Sequence, residues 1–261
     1  APPVLAHAAS LAELELLPTP RVLATLRGSD ELDPMLVPVA ALIDCKREDA
    51  TGIVAAAELE RLAQLFGAAL TSGTHALVVA APDLGPRRLL RGLAAALGYT
   101  RLLAADLSLL PLEPLALYET MSELCHEAAH REVPLVIENL SAWHKDELLL
   151  DRLRAVLVRL TLPVWATSDR ELRPLTAVLP LRLDLAPPDE PTRSEAWQLE
   201  TRHKIALAAT ELGELGKLPL GRAQIADAVG LAAALAANAG QAATLTHLRR
   251  AIDALFSLAR P

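Results

Sequence analysis

The sequence predicts an α/β protein: a parallel sheet of five strands flanked by helices, followed by a C-terminal helical lid. Three observations carry that prediction. First, five short apolar runs recur, over 75–81, 101–105, 133–137, 163–167 and 181–185, read as strands of a parallel sheet covered on both faces. Second, amphipathic helical segments separate the first four runs, over 88–97, 115–132 and 147–160, so strand and helix alternate as in repeated βαβ units. Third, after Pro187-Pro188 the periodicity turns helical, over 190–213, 221–229, 231–237 and 244–259. The Ala-rich stretch 231–238 repeats at no period of solenoid length, so no repeat array is expected.

Residues 1–74 read as a helical subdomain ahead of the core. Helices are expected over 5–17, where Pro18 closes the segment, over 34–45 and over 53–70. In the last of these Ile53, Ala56, Ala57, Leu62, Leu65, Phe66 and Ala69 fall on one helical face. The expected division is therefore 1–74 helical, 75–188 α/β core and 189–261 lid.

With 261 residues, 52% of them hydrophobic, the chain can bury a large core, and its net charge of -7 argues against nucleic acid as the main partner. Cys45 and Cys125 stand far apart and outside any CxxC spacing, which suggests neither disulfides nor a thiolate metal site. Charges, Pro or Gly interrupt every apolar stretch before it reaches the roughly 20 residues of a membrane helix. A cytoplasmic protein without membrane contact is expected. The chain opens on Ala1 and closes just after a strong helix, as a segment of a longer protein would.

The loop after the first run invites comparison with phosphate-binding loops. There a strand leads into G-x-x-x-x-G-K-[ST] and a helix: glycines let backbone N–H groups wrap phosphate, Lys balances its charge and the hydroxyl holds magnesium. Here the stretch is Ala81-Pro82-Asp83-Leu84-Gly85-Pro86-Arg87-Arg88. Ala81 and Pro86 stand at the glycine positions, Arg87 at the Lys and Arg88 at the hydroxyl. Pro86 removes an N–H, Ala81 adds a Cβ, and Arg88 cannot coordinate magnesium. Each lost hydrogen bond to a charged group is worth about 1.5–3 kcal/mol. Arg87 and Arg88 at a helix start still favour an anion, so weak binding of ATP with magnesium stays open, beside an ordinary loop with a solvated arginine pair.

With that loop, the order of the pieces resembles the AAA-plus family of P-loop ATPases over about residues 75–261, and is similar to the degenerate modules that precede an active one in tandem bacterial proteins. In the family the third strand ends in Asp-Glu; here the run is Leu135-Val136-Ile137-Glu138-Asn139. The resemblance puts Glu138 at the metal-supporting position and Asn139 at that of the general base, whose loss costs about 10²–10⁴ in rate. It also makes 164–168 the polar-tipped sensor strand, with Thr167 or Ser168 near the γ-phosphate position, and Arg170 or Arg173 a candidate arginine finger. The degenerate nucleotide site it implies is Gly85, Arg87, Arg88, Glu138, Asn139, Thr167 and Ser168.

One competing motif appears. His126-Glu127-Ala128-Ala129-His130 matches HExxH, in which two His bind zinc and Glu activates water, and Glu147 or Asp151 could add a ligand. Against it, Met121, Leu124, Cys125 and Ala128 form the apolar stripe of this helix, which turns His126 and His130 outward. The remaining histidines, His75 among them, are scattered, and Trp143, Trp165 and Trp197 read as packing residues. The function expected is a non-hydrolysing module with no resident cofactor. It would act in assembly, or in regulating an adjacent ATPase or neighbouring subunit. The alternatives are an ATPase with an unusual P-loop and a zinc hydrolase.

Overall fold

The computed structural model describes residues 31–256. The helix expected over 5–17, and the end of the one expected over 244–259, lie outside those residues.

The described chain is α/β. Its strands are β1 (Ala40–Asp44), β2 (Ala76–Val79), β3 (Arg101–Asp106), β4 (Leu135–Glu138), β5 (Val164–Ser168) and β6 (Leu181–Asp184). The helices of the α/β part are α1 (Ala56–Ser72), α2 (Pro86–Ala96), α3 (Pro114–His130) and α4 (Glu147–Leu157); α5 (Glu190–Thr201), α6 (Ala209–Gly216), α7 (Arg222–Asn238) and α8 (Leu245–Phe256) follow the sheet. The strands form one six-stranded sheet in the order β1-β3-β4-β5-β2-β6. β1 runs antiparallel to β3 and every other pair is parallel.

The sixth strand corrects the helix expected over 34–45. Asp33 closes a turn by accepting the Met35 N–H, and the chain then extends as β1, with Ile43 opposite Leu102. A short apolar run carries no period that separates helix from strand, but β-branched Val37, Val39 and Ile43 and the interposed Pro38 favour extension.

Two further helix boundaries differ from expectation. The segment 190–213 is two helices, α5 and α6, parted where His203 takes a φ of 66°. Conversely 221–237 is one helix, α7, which runs through Gly230; a helical glycine costs only about 1 kcal/mol relative to Ala. In α1 the buried face is Leu59, Leu62, Ala63, Phe66 and Ala69, whereas Ala56, Ala57 and Leu65, expected on it, are exposed. Gly73 ends that helix in the left-handed conformation, its N–H donating to the carbonyls of Ala69 and Leu70.

Apolar cores lie on both sheet faces. Met121 and Leu124 of α3 and Leu150 and Leu153 of α4 cover one, against Leu103, Leu135 and Ile137. Leu62 and Phe66 of α1 and Leu89 and Leu93 of α2 cover the other, against Val78 and Trp165. Phe66 meets Trp165 edge to face at 5.2 Å. His75 is held between elements: the Val164 N–H donates to its Nδ1, and Nε2 lies 3.1 Å from the Leu157 carbonyl. A third core, around Trp197, Ile225, Val229 and Leu248, belongs to the helices after the sheet. All three tryptophans are buried.

Candidate functional site

The loop after β2 is wound tight. Pro82–Leu84 forms a single 3-10 turn, with the Leu84 N–H donating to Ala81 and the Gly85 N–H to Pro82. Gly85 then turns left-handed (φ 78°, ψ 47°) so that Pro86 can begin α2. Two amides of the loop are thereby consumed inside it, and Pro82 and Pro86 have none to offer.

Because β5 lies between β4 and β2, this loop stands beside the carboxyl ends of β4 and β5, where open α/β sheets place their ligands. A groove of about 460 Å³ results. Gly85, Arg87 and Arg88 of the loop line it together with Glu138 and Asn139 after β4 and Thr167 and Ser168 at the end of β5. All seven residues singled out from the sequence therefore meet in one place. Neither Arg170 nor Arg173 lines the groove, and Arg170 pairs with the adjacent Asp169 at 2.7 Å.

The charges of the groove face one another. Arg87 Nε lies 3.0 Å from Glu138 Oε1 but off the N–H axis, so that oxygen accepts no aligned hydrogen bond. Burial raises the Glu138 carboxyl above its ordinary value; Arg87 opposes the shift and Asp106 adds to it. Asn139, left-handed at φ 61°, donates from Nδ2 to Asp106 Oδ2 at 2.6 Å and from its N–H to Thr167 Oγ1 at 3.3 Å. The Ser168 hydroxyl donates to the Arg170 carbonyl. Among the ionisable lining residues Asp106, Glu138 and Asp169 outnumber Arg87 and Arg88.

Arg88 turns instead to the helices after the sheet. Its Nη1 lies 2.8 Å from Glu200 Oε1, and Arg222 Nη1 approaches the same oxygen at 2.7 Å. Arg222 opens α7 and is 2% exposed; burial lowers its affinity for a proton, with Glu200 opposing. Gly221 presses α7 onto the loop so closely that a Cβ there would sit 2.2 Å from the Asp83 carbonyl oxygen. Gly52, at φ 78°, is likewise set against Ala196 of α5, where a Cβ would meet the Ala196 Cβ at 2.3 Å.

Asp106, Glu200 and Arg222 were not singled out from the sequence. Asp106 ends β3 in register with Glu138 and carries the same signal, a polar residue closing an apolar strand. Glu200 carries none, since its partner Arg88 is 112 residues away.

The HExxH residues divide differently. His126 and His130 are exposed on α3, while Glu127 is 4% exposed and accepts from Arg131 Nε at 2.6 Å. Metal ligation by both His with catalysis by this Glu needs all three on one accessible side, which the helix does not offer. Among the described residues no group of three or more His, Cys, Asp or Glu is placed to hold a metal ion. No described helix is long and apolar enough to cross a membrane. No protein-family model matches the chain, and comparison with curated proteins returned no match.

Proposed function

We propose that this chain is a degenerate AAA-plus-like module that does not turn over nucleotide and acts by binding another protein, in assembly or in setting the position of an adjacent ATPase. The observation that carries the reading is the self-compensation of the groove. Arg87 faces Glu138, Arg88 faces Glu200, and two loop amides are bound within the loop. A triphosphate would have to displace carboxylates already in place, at a lining where acids outnumber bases. Asn139 at the position of the general base is tied to Asp106 and Thr167 and accepts no proton. The protein-binding half of the reading is supported by four exposed apolar side chains within one short stretch, Leu109, Leu112, Leu115 and Tyr118.

The rival is an ATPase with an arginine-based loop. It is favoured by the convergence of Arg87, Glu138, Thr167 and Ser168 in one groove, with Glu138 as the metal carboxylate. Steady-state turnover of magnesium–ATP by the chain and by Arg87→Ala separates the two. Equal, background rates are expected. Turnover by the parent chain that Arg87→Ala abolishes would establish the rival.

A further inference from the structure

The two edges of the sheet are finished differently. β6 ends one edge with exposed Arg182 and Asp184; Arg182 pairs with Asp184 at 2.6 Å and with Glu171 at 3.2 Å, and charge on an edge strand discourages a further strand. β1 ends the other with Ala40-Ala41-Leu42-Ile43 before its first charge, Asp44. The Asp106 N–H donates to the Val39 carbonyl and the Cys45 N–H to that of Thr100, so the odd-numbered residues of this segment bond to β3 and its flanks. The backbone groups of Ala40, Leu42 and Asp44 therefore point away from the sheet. Two of those groups are closed within the chain: the Ala40 N–H donates to the Leu36 carbonyl at 2.8 Å, and the Asp44 carbonyl accepts from Arg91 Nε at 2.9 Å. The Leu42 N–H and C=O, the Ala40 C=O and the Asp44 N–H meet no partner among the described residues.

We propose that β1 pairs with β1 of a second copy of this chain, antiparallel about Leu42, so that two sheets join across a two-fold axis. The inference deepens the assembly half of the reading above, whose partner it names, and rests on it. In that register each Leu42 N–H donates to the other Leu42 carbonyl, and each Asp44 N–H to the other Ala40 carbonyl. The bonds that the register omits would join the Ala40 N–H to the Asp44 carbonyl, the two groups already closed within the chain. Open and closed groups thus match under one symmetry operation, as the self-complementary surface of a two-fold dimer requires and an unrelated strand does not. Charge agrees, because Asp44 falls opposite Ala40 and Ile43 opposite Ala41, so no like charges are opposed. Apolar surface lies beside the strand. Met35 and Val37 precede it, and Leu109 follows the end of β3, whose Asp106 bonds to Val39; all three are exposed. Burying them supplies the driving force that a few backbone bonds lack.

The test is the mass of the unmodified chain by sedimentation equilibrium, together with amide hydrogen exchange read residue by residue. At about 100 μM, twice the 27.8 kDa of one chain is expected. In that dimer the Leu42 and Asp44 amides exchange slowly and quicken on dilution, whereas those of Ala41 and Ile43, bonded to β3, stay protected throughout. Leu42→Pro removes an outward N–H and leaves the ladder to β3 intact, so self-association at least about tenfold weaker is expected. A single-chain mass at that concentration overturns the proposal, as does a dimer whose Leu42 and Asp44 amides exchange freely. Protection of those amides that dilution leaves unchanged overturns it too, being the sign of a cover from the chain's own residues, and so does self-association as strong in Leu42→Pro as in the parent. Should Leu42→Pro fail to fold, as read by far-ultraviolet circular dichroism, Ala41→Lys puts a charge at an exposed position of the same strand and carries the same comparison. ATP turnover in the same samples keeps the two readings apart. Turnover by the parent sinks the non-hydrolysing module, whereas a single-chain mass sinks only the paired edge.

Discussion

Two glutamates, Glu138 and Glu200, face the two consecutive arginines that begin α2, and their surroundings differ in sign. Glu200 is a carboxylate among three cations, with Arg88 and Arg222 on one oxygen and Lys204 near the other. Glu138 is a partly buried carboxylate with one misaligned, half-exposed arginine and a second acid, Asp106, close enough to repel it. The difference teaches what each contact is for. The first joins the sheet to the helices after it, and the second sets one carboxylate against one arginine inside the groove.

The comparison breaks most visibly at Glu200. Glu200→Ala leaves Arg222 buried without its counterion, so a loss of about 3–5 kcal/mol is expected in urea unfolding. Next comes the close approach that seats α7 on the loop. Gly221→Ala sets a Cβ against the Asp83 carbonyl, a backbone atom that cannot swing away, and a loss of about 1–3 kcal/mol is expected in the same measurement.

The third effect is smaller and opposite. Since burial raises the Glu138 carboxyl above the ordinary 4.5, the folded chain holds that proton more tightly than the unfolded one, and stability falls as pH rises from the ordinary value through the raised one. Glu138→Gln removes that loss. The variant is expected to exceed the parent in stability at neutral pH, with the difference vanishing below the ordinary glutamate value; a variant less stable than its parent at pH 7 would make Glu138 a structural ion-pair partner instead. Smallest is Arg87→Ala: with 54% of its side chain exposed, its removal should move stability by no more than about 1 kcal/mol.

The sheet was legible where its strands are buried on both faces. The runs at β2 to β5 are set by the need to cover a parallel sheet, β6 at the edge alternates half-buried leucines with exposed Arg182 and Asp184, and each of the five falls within two residues of its expected place at either end. β1 was not, because an edge strand five residues long gives alanine and leucine too little length for a period to emerge. The break between α5 and α6 was hidden for a related reason: the Leu-Ala-rich stretch around it continues a helical composition while His203 turns left-handed. At the site, the loop and strand-end residues meet in one groove because the parallel strands put their carboxyl ends at one edge of the sheet. Glu200 and Arg222 were not legible, since only tertiary packing brings residues 88, 200 and 222 into one cluster.

Isothermal titration of magnesium–ATP into the unmodified chain puts the central claim to the most direct test. A groove whose arginines already face carboxylates, and whose loop spends its amides internally, predicts no saturable binding up to about 1 mM nucleotide, less than about 4 kcal/mol of binding free energy. Stoichiometric, magnesium-dependent binding in the micromolar range, weakened by Arg87→Ala, would contradict it.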